Sequence, residues 1–316
     1  MITINELDRV EILTLQDNYI DMTATDNSEM IHRAGARVNG EIRKSVLAEH
    51  GFSAVIRTTV GERTRTMLFD FGFSEIGAAF NARALGFPMG EIEAIALSHG
   101  HSDHIGGFRE LVGMIGKPGI ELVVHPGAFK SNRYVKFGEG LKSPFPRFTR
   151  EMAEEAGTRV SEAKEPRLML GGDVLFLGEI RRRTDFEKGM PNAYYEKDGV
   201  ETKDAIEDDT SLVMNLKGKG LIVLSGCAHS GIVNTVASAR EAAGVDAVYA
   251  IMGGFHLNVS LQEPIVGWTI DELRRIDPRY IIPTHCTGRK TIQQIEAVMP
   301  DRFLLNMAGT RLTFAA

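Results

Sequence analysis

The segment Leu97–Gly107, which reads LSHGHSDHIGG, constrains the fold of this chain more than any other stretch. It holds three of the nine histidines within six residues, with an aspartate between the second and the third. An apolar, strand-like run precedes it and a Gly-Gly pair follows it. Adjacent imidazoles are costly to charge without a partner, so the segment predicts a metal site at the carboxyl end of a strand.

Short apolar runs alternate with helical segments along the whole chain. The predicted strands are Val10–Leu15, Ala54–Thr59, Thr66–Asp70, Ala94–Ser98, Leu122–His125, Val174–Leu177, Ser211–Leu216, Leu221–Ser225, Ala247–Met252 and Tyr280–Pro283. The predicted helices are Glu75–Leu85, Ile105–Ile115, Ile232–Ala243, Thr269–Ile276 and Thr291–Val298. Apolar strands separated by helices predict an α/β fold with helix-covered sheets. Because no Pro/Ser-rich linker or short repeat interrupts them, we expect one domain over residues 1–316.

Two segments interrupt this alternation. Residues 126–167 mix prolines, charges and aromatic side chains, and residues 184–209 are polar. Long irregular insertions in a compact domain tend to be either functional lids or disordered segments. The aromatic side chains of the first segment favour a lid that packs over a site; they are Phe129, Tyr134, Phe137, Phe145 and Phe148.

The spacing within the histidine-rich segment predicts two neighbouring pairs of metal ligands. His99 and His101 are two apart, so on an extended backbone their side chains point the same way. Asp103 and His104 follow at the start of the predicted helix. Imidazole and carboxylate are ligands that borderline metals favour. We therefore expect one or two divalent transition metals, with zinc as the first choice and iron or manganese as alternatives.

Three more histidines each end an apolar strand far downstream. They are His229 in LIVLSGCAHSG, His256 in VYAIMGGFHL and His285 in YIIPTHCTG. His229 and His285 are predicted metal ligands that complete a site for two metals. His256 is interpreted either as a ligand or as a substrate contact.

The remaining histidines carry weaker signals. His125, in VVHPG, also ends a strand, and the proline after it suggests the lip of a substrate pocket; a structural role is the alternative. His32 and His50 lie in polar stretches, and we expect them at the surface.

The motifs together resemble the metallo-β-lactamase superfamily. Its H-x-H-x-D-H signature is matched by His99–His104, and LFDFG at Leu68–Gly72 is similar to its earlier aspartate-glycine motif. The resemblance implies a four-layer αββα sandwich with a metal pair at one edge between the sheets. It also implies that Asp70 supports the metal ligands from behind.

A narrower resemblance rests on four blocks, SHGHSDHIGG, SGCAHSGIVN, GGFHL and PTHCTG. They are similar to the subgroup named after 7,8-dihydropterin-6-methyl-4-(β-D-ribofuranosyl)-aminobenzene-5'-phosphate synthase. Many superfamily members have an aspartate that bridges both metals after a late strand. Here that strand leads into Gly226-Cys227-Ala228-His229, so either Cys227 bridges the metals or it is a small buried residue and His229 alone ligates. Cys286 is expected to be structural.

Metal-assisted hydrolysis of an ester, lactone or phosphoester-type small molecule is the leading functional prediction. Asp103 would hold a metal and orient the nucleophile, and His256 would donate a hydrogen bond to the developing oxyanion or the leaving group. The subgroup resemblance implies an alternative: a transferase in which an aryl group attacks a pterin-methyl substrate and pyrophosphate leaves. A second alternative is a metal-dependent sensor that binds a small ligand without turnover.

Charge and cysteine content limit the classes of partner and the cellular compartment that we expect. The net charge is −6, and the densest basic run is only Arg181–Arg183, so nuclease activity and nucleic-acid binding are not expected. Those arginines are interpreted as a solvated patch, or alternatively as contacts to an anionic substrate. No apolar run approaches the length of a membrane span. With two cysteines and no signal-peptide pattern, we expect a cytoplasmic enzyme for a small-molecule substrate, with a homo-oligomer as one candidate assembly.

Overall fold

The computed structural model describes residues 1–35, 37–38, 41–42, 45–138, 140–257 and 263–316. The strands are β1 (Glu6–Leu7), β2 (Arg9–Gln16), β3 (Ile31–His32), β4 (Arg37–Val38), β5 (Glu41–Ile42), β6 (Ser53–Val60), β7 (Arg63–Phe69), β8 (Ala94–Leu97), β9 (Ile120–Val124), β10 (Arg133–Phe137), β11 (Leu141–Pro144), β12 (Thr158–Glu162), β13 (Arg167–Met169), β14 (Val174–Phe176), β15 (Ala193–Lys197), β16 (Val200–Lys203), β17 (Ser211–Leu216), β18 (Gly220–Ser225), β19 (Val248–Gly254), β20 (Tyr280–Thr284) and β21 (Arg311–Ala315). The helices are α1 (Gly77–Ala84), α2 (Ser102–Ile105), α3 (Phe108–Ile115), α4 (Arg150–Glu155), α5 (Ile232–Ala243), α6 (Glu263–Ile276) and α7 (Arg289–Val298).

Two large sheets form the frame. The first is eight-stranded in the order β12-β9-β8-β7-β6-β2-β21-β3, and the second follows the order β13-β14-β17-β18-β19-β20, with β1 also pairing with β17. Strands β7, β8, β9 and β12 are parallel neighbours, as are β18, β19 and β20. Two smaller sheets have the orders β11-β10-β15-β16 and β4-β5.

Alternation along each strand explains why the two sheets face each other. In β6, Ala54 and Ile56 join the core between the sheets, whereas Val55 joins the core under α1 and α3. In β18, Leu224 belongs to the central core and Val223 to the core under α5, α6 and α7. Successive strand side chains point to opposite faces, so each sheet buries one face on the other and one on helices. The αββα sandwich predicted from the sequence is confirmed.

The predicted helix Ile105–Ile115 is divided in the structure. Helix α2 ends at Ile105 and α3 begins at Phe108, because the intervening Gly106 passes directly over the Phe73 carbonyl. A Cβ atom at Gly106 would lie only 1.7 Å from that oxygen. The Gly-Gly pair therefore serves close backbone packing behind the histidine-rich loop.

The two irregular segments are more ordered than the sequence predicts. The end of segment 126–167 forms α4 and β12, and β12 pairs in parallel with β9 at the edge of the eight-stranded sheet. Strand β12 reads TRVSE, and an edge strand with exposed polar side chains gives no apolar run to detect. The remainder pairs with residues 193–203 to form the sheet β11-β10-β15-β16. Within the described residues, no helix is long and apolar enough to cross a membrane.

Several strands of both large sheets begin or end at one edge of the sandwich. Strands β7, β8 and β9 end there, and β2 also ends there because it runs antiparallel to β6. The start of β6 is at the same edge, since Ser53 pairs with Gln16 at the end of β2. From the other sheet, β18, β19 and β20 end in the loops that carry His229, His256 and His285.

Candidate metal centre

His99, His101 and His229 form a buried three-histidine cluster. The ring centroid of His99 lies 4.5 Å from that of His101 and 4.7 Å from that of His229, and the last two are 4.8 Å apart. Burial holds the pKa of His99 and His229 well below the ordinary value and lowers the pKa of His101 to about 4. At neutral pH these imidazoles are uncharged, so each offers a lone pair.

Asp103, His104 and His285 form a second, carboxylate–histidine cluster. The Oδ2 atom of Asp103 lies 3.0 Å from Nε2 of His285 and 3.7 Å from Nε2 of His104. Burial opposes ionisation of Asp103, but the facing imidazoles of His104 and His285 hold its pKa well below the ordinary range. For His104, burial is outweighed by Asp70 and Asp103, and its pKa is raised.

Cys227 lies between the two clusters. Its Sγ is 3.1 Å from Nε2 of His104, and it shares one group with Asp103, His104 and His285 and another with His99 and His229. Within each group the potential ligand atoms all lie within 4.8 Å of one another. A third group joins His99, His101 and Asp103. Burial, together with a contact to Cys286, raises the pKa of the Cys227 thiol.

The loop that carries Cys227 needs a glycine before it. A Cβ at Gly226 would lie 2.2 Å from Oγ of Ser98 and 2.7 Å from Oδ2 of Asp70. The absence of a side chain lets the end of β18 approach the end of β8, so the two clusters can meet across the sheets. Ala228, the next residue but one, has φ of 45°.

Asp70 is fully buried and orients ligands of both clusters. Its carboxylate accepts hydrogen bonds from the Ser98 backbone N–H (2.7 Å), the Ser98 hydroxyl (2.7 Å) and Nδ1 of His104 (2.6 Å). Because the Ser98 hydroxyl gives its hydrogen to Asp70, it accepts one from Nδ1 of His99 at 3.0 Å. One carboxylate thus directs the Nε2 lone pairs of His104 and His99 into the site.

Asn18 orients His285. Its Nδ2 lies 3.1 Å from the backbone carbonyl of His285, which can only accept, so this side of the amide is the NH₂ group. The amide oxygen therefore faces Nδ1 of His285 at 3.2 Å and accepts its hydrogen. The other ring nitrogen of His285, Nε2, then points at Asp103.

These constraints test whether the residues fit metal ions. Nε2 of His285 faces the Asp103 carboxylate across 3.0 Å, and Nε2 of His99 faces Nε2 of His229 across 3.1 Å. Two acceptors that face each other repel unless a cation or a proton lies between them. Nε2 of His101 is buried without a hydrogen-bond partner among the described residues. The donors therefore fit divalent transition metals at both clusters.

Backbone strain concentrates at this edge. Asp70, Ala228, His256 and His285 all have positive φ, between 45° and 60°. Non-glycine residues in that region cost about 1–3 kcal/mol each and persist where the surroundings over-determine them. Three of these residues flank or belong to the two clusters, and the fourth contacts one of them.

His256 lies beside the clusters rather than in a candidate ligand group. Its ring centroid is 4.2 Å from that of His229, and burial lowers its pKa to about 4. Together with His229 it lines a cavity of about 310 Å³. The cavity walls also include Phe186, Glu187, Lys188, Gly189, Pro191, Lys203, Ala228, Gly231, Phe255, Leu257 and Ile265. This is the position from which it could touch a substrate.

His125 is buried outside both clusters. Its Nδ1 accepts a hydrogen bond from the Gly127 N–H at 3.0 Å, and its Nε2 lies 3.8 Å from the Glu179 carboxylate. The predicted substrate contact of His125 stays a prediction. Among the predicted basic patch, Arg182 donates to the backbone carbonyl of Ala205 at 2.6 Å, and Arg183 pairs with Glu241.

The segment predicted as a lid touches the three-histidine cluster. The Phe145 ring stacks on His101 with 4.4 Å between centroids and 11° between planes. Arg133, on β10, is paired with the buried Asp208, which also accepts the Gly100 N–H at 2.9 Å. The four-stranded sheet is therefore tied to the loop that carries His99 and His101.

Two residues of this edge were not predicted as functional. His50, expected at the surface, lies with its ring centroid 4.6 Å from that of His285, and Asn18 contacts both histidines. The available signal was positional, since Asp17-Asn18 is a polar pair at the end of β2 and His50 precedes β6. Locating both at the site requires knowing that β2 and β6 are antiparallel neighbours in the sheet that carries His99.

Comparison with known proteins agrees with this geometry. Residues 48–240 match the family described as the metallo-beta-lactamase superfamily. The chain is 31% identical to 7,8-dihydropterin-6-methyl-4-(beta-D-ribofuranosyl)-aminobenzene-5'-phosphate synthase of Methanocaldococcus jannaschii, over 99% of this chain and 100% of the relative. It is 30% identical to MJ0448, an uncharacterized protein of the same organism, over 82% of this chain and 91% of the relative.

Among solved structures, Tm1679, a metal-dependent hydrolase of the beta-lactamase superfamily, superposes with a TM-score of 0.71 at 22% identity. The match covers 97% of this chain and all of that one, and it supports the fold. Sequence motifs, sandwich and full-length relatives agree, and this chain belongs to the metallo-beta-lactamase superfamily.

Proposed function

We propose that this chain is a metal-dependent enzyme that hydrolyses an ester, lactone or phosphoester-type small molecule. One observation carries the proposal: the two clusters meet at Cys227, and a cavity lined by His229 and His256 lies beside them. A pair of divalent metals would serve hydrolysis by polarising a substrate oxygen and by lowering the pKa of bound water towards neutrality.

The proposed ligands divide between the two clusters. His99, His101 and His229 would hold one ion, and Asp103, His104 and His285 the other, with Cys227 between them. Zinc is the first choice, because imidazole, carboxylate and thiolate together suit it; iron and manganese are the alternatives. Asp103 is also proposed to orient the attacking group.

The cavity supports the proposed role of His256. Its walls are largely apolar, and the exposed Lys188 and Lys203 make no ion pair within the part of the chain that the structure describes. A small substrate with an apolar portion and negative charge would suit this lining. From there His256 is proposed to donate a hydrogen bond to the developing oxyanion or leaving group.

A transferase is the second candidate, and the full-length relative favours it. That protein is named a synthase and is 31% identical over nearly the entire chain. In the transferase proposal, an aryl group attacks a pterin-methyl substrate and pyrophosphate leaves. The same metal-binding residues would then stabilise charge on the departing diphosphate.

Two measurements test the proposal. Elemental analysis of protein purified without chelator should give one to two transition-metal equivalents, and a metal-free protein would contradict it. The loaded protein is then offered lactones, phosphodiesters, thioesters and, together with an aryl acceptor, pterin diphosphates. Hydrolysis of the first three classes supports the hydrolase, and reaction only of the last supports the transferase. Binding without turnover would identify a sensor. A cytoplasmic location and a possible homo-oligomer remain proposals.

A further inference from the structure

We infer that His50 is a further catalytic residue, whose Nε2–H group donates to an oxyanion bound at the carboxylate–histidine cluster. The inference rests on the proposed metal-dependent function. His50 lies on the open side of this cluster: its side chain is 53% exposed, whereas that of His285 beside it is fully buried. Its Nε2 atom is 3.7 Å from the Asp103 carboxylate, close enough to reach the same ligand but outside direct hydrogen-bond distance.

The backbone around His50 is fixed although its ring is exposed. The Glu49 N–H donates to the Asp17 carbonyl at 3.1 Å, and the Phe52 N–H donates to the Asp103 carbonyl at 3.1 Å. Both partners belong to the metal-site edge. These two hydrogen bonds hold His50 at the open side of the carboxylate–histidine cluster.

Asn18 determines which nitrogen of His50 carries the hydrogen. The His285 carbonyl requires the NH₂ group of Asn18 on its side, and the same group lies 3.2 Å from Nδ1 of His50. Nδ1 of His50 is therefore an acceptor, and in the neutral ring the hydrogen is on Nε2. One amide thus contacts the two histidines in opposite senses: its oxygen accepts from Nδ1 of His285, and its NH₂ group donates to Nδ1 of His50.

A metal ion together with the Nε2–H group of His50 would have the chemistry of an oxyanion-binding site. The proposed metal would hold one oxygen of a phosphoryl or carboxyl group near Asp103 and His285. The Nε2–H of His50 lies at the solvent side of the same position and would donate to a second oxygen. Preorganised donors of this kind stabilise negative charge that develops on a substrate.

The test uses inorganic phosphate as the probe and the metal-loaded full chain. His50→Phe keeps the ring against His285 but removes the donor, and it should weaken phosphate binding about 3- to 10-fold in calorimetry. His50→Gln restores a donor and should recover most of that loss. His32→Phe, the same change at an exposed histidine on β3, is the matched control and should leave binding unchanged.

Histidine nitrogen NMR shifts in the zinc-loaded protein give a second readout. His50 should be protonated at Nε2 in the parent and at Nδ1 in Asn18→Asp, because a carboxylate at position 18 can only accept. Equal phosphate affinity of the parent and His50→Phe would overturn the inference, as would a loaded parent that binds no phosphate. An Nδ1-protonated His50 in the parent would overturn it too, even in a metal-free protein, whereas absent metal by itself contradicts the proposed function.

Discussion

The two ligand clusters differ in charge, although both derive largely from one loop. The three-histidine cluster is uncharged, since burial lowers the pKa of each imidazole. The carboxylate–histidine cluster contains the ionised Asp103, and beside it the buried Asp70 raises the pKa of His104. One cluster therefore offers a cation uncharged imidazoles alone, whereas the other adds an ionised carboxylate.

Their surroundings differ in a parallel way. Phe145 covers His101, so the three-histidine cluster lies under the four-stranded sheet. His50 and Asn18 border the carboxylate–histidine cluster, whose outer side is polar and accessible. The three-histidine cluster is thus covered by Phe145 at His101 and meets the cavity through His229, whereas the carboxylate–histidine cluster is open to solvent beside His50. The following predictions test that contrast, beginning with the largest expected effect.

Removing one ligand from each cluster should have unequal consequences. Asp103 shares one candidate ligand group with His104 and His285 and another with His99 and His101. Asp103→Asn should therefore weaken the binding of both ions, by about 100-fold or more for the nearer one. His101→Gln should weaken only one ion, and both variants should lose turnover. Competition with a chromogenic chelator measures the two affinities. His125→Gln is the control with both ions retained, and equal losses in the two ligand variants would break the contrast.

Asp70 connects the clusters, so its charge should matter to both. Asp70→Asn leaves a single acceptor for three hydrogen bonds, and we expect metal affinity to fall about 10- to 100-fold at both clusters. Ser98→Ala interrupts only the path to His99 and should affect the three-histidine cluster alone. The same chelator titration resolves the two losses. If Asp70→Asn lowered the affinity for only one ion, Asp70 would not orient the residues of both clusters.

Glu187 is a buried carboxylate near the three-histidine cluster. Neighbouring imidazoles lower the pKa of Asp103, but none lowers that of Glu187. Burial raises its pKa to about 7 despite hydrogen bonds from the Val233 and Asn234 N–H groups. Because the folded-state pKa exceeds the unfolded one, its contribution to stability is present below the unfolded pKa and is lost as pH rises through about 7.

The measurement is urea unfolding of the parent and Glu187→Gln at about pH 5 and about pH 8. The free energy of unfolding of the parent minus that of Glu187→Gln should be about 1–3 kcal/mol lower at the higher pH than at the lower pH. Any constant effect of the substitution on the hydrogen bonds cancels in this difference. A relative stability that rises with pH would contradict the compensation argument.

Phe145 should give the smallest effect. Phe145→Ala removes the ring stacked on His101, and we expect chelator-driven metal loss from the three-histidine cluster to become about 2- to 5-fold faster. Stopped-flow measurement of metal release distinguishes the two ions. Phe129→Ala, whose ring packs on Phe148, is the control within the same segment. Unchanged release in Phe145→Ala would remove the argument for a covering lid.

Local pattern was sufficient for much of the fold. Strands such as Ser211–Leu216 and Leu221–Ser225 were predicted nearly to the residue, because a short, mostly apolar run bounded by polar residues or glycines has few alternatives. Strand β12 was missed because it is polar and lies at an edge. Strand β21 was missed because its pairing with β2 joins residues from opposite ends of the chain.

Residue types and their spacing in the chain predict the candidate ligands, their attachment to strand ends and the sandwich that brings those ends together. Residue type and short-range periodicity carry that information. Tertiary contacts alone establish how the candidate ligands divide, that Cys227 lies between the clusters, and that His50 lies against His285. Those facts depend on contacts between residues far apart in the chain, such as Asn18 with His285, and no local pattern encodes them.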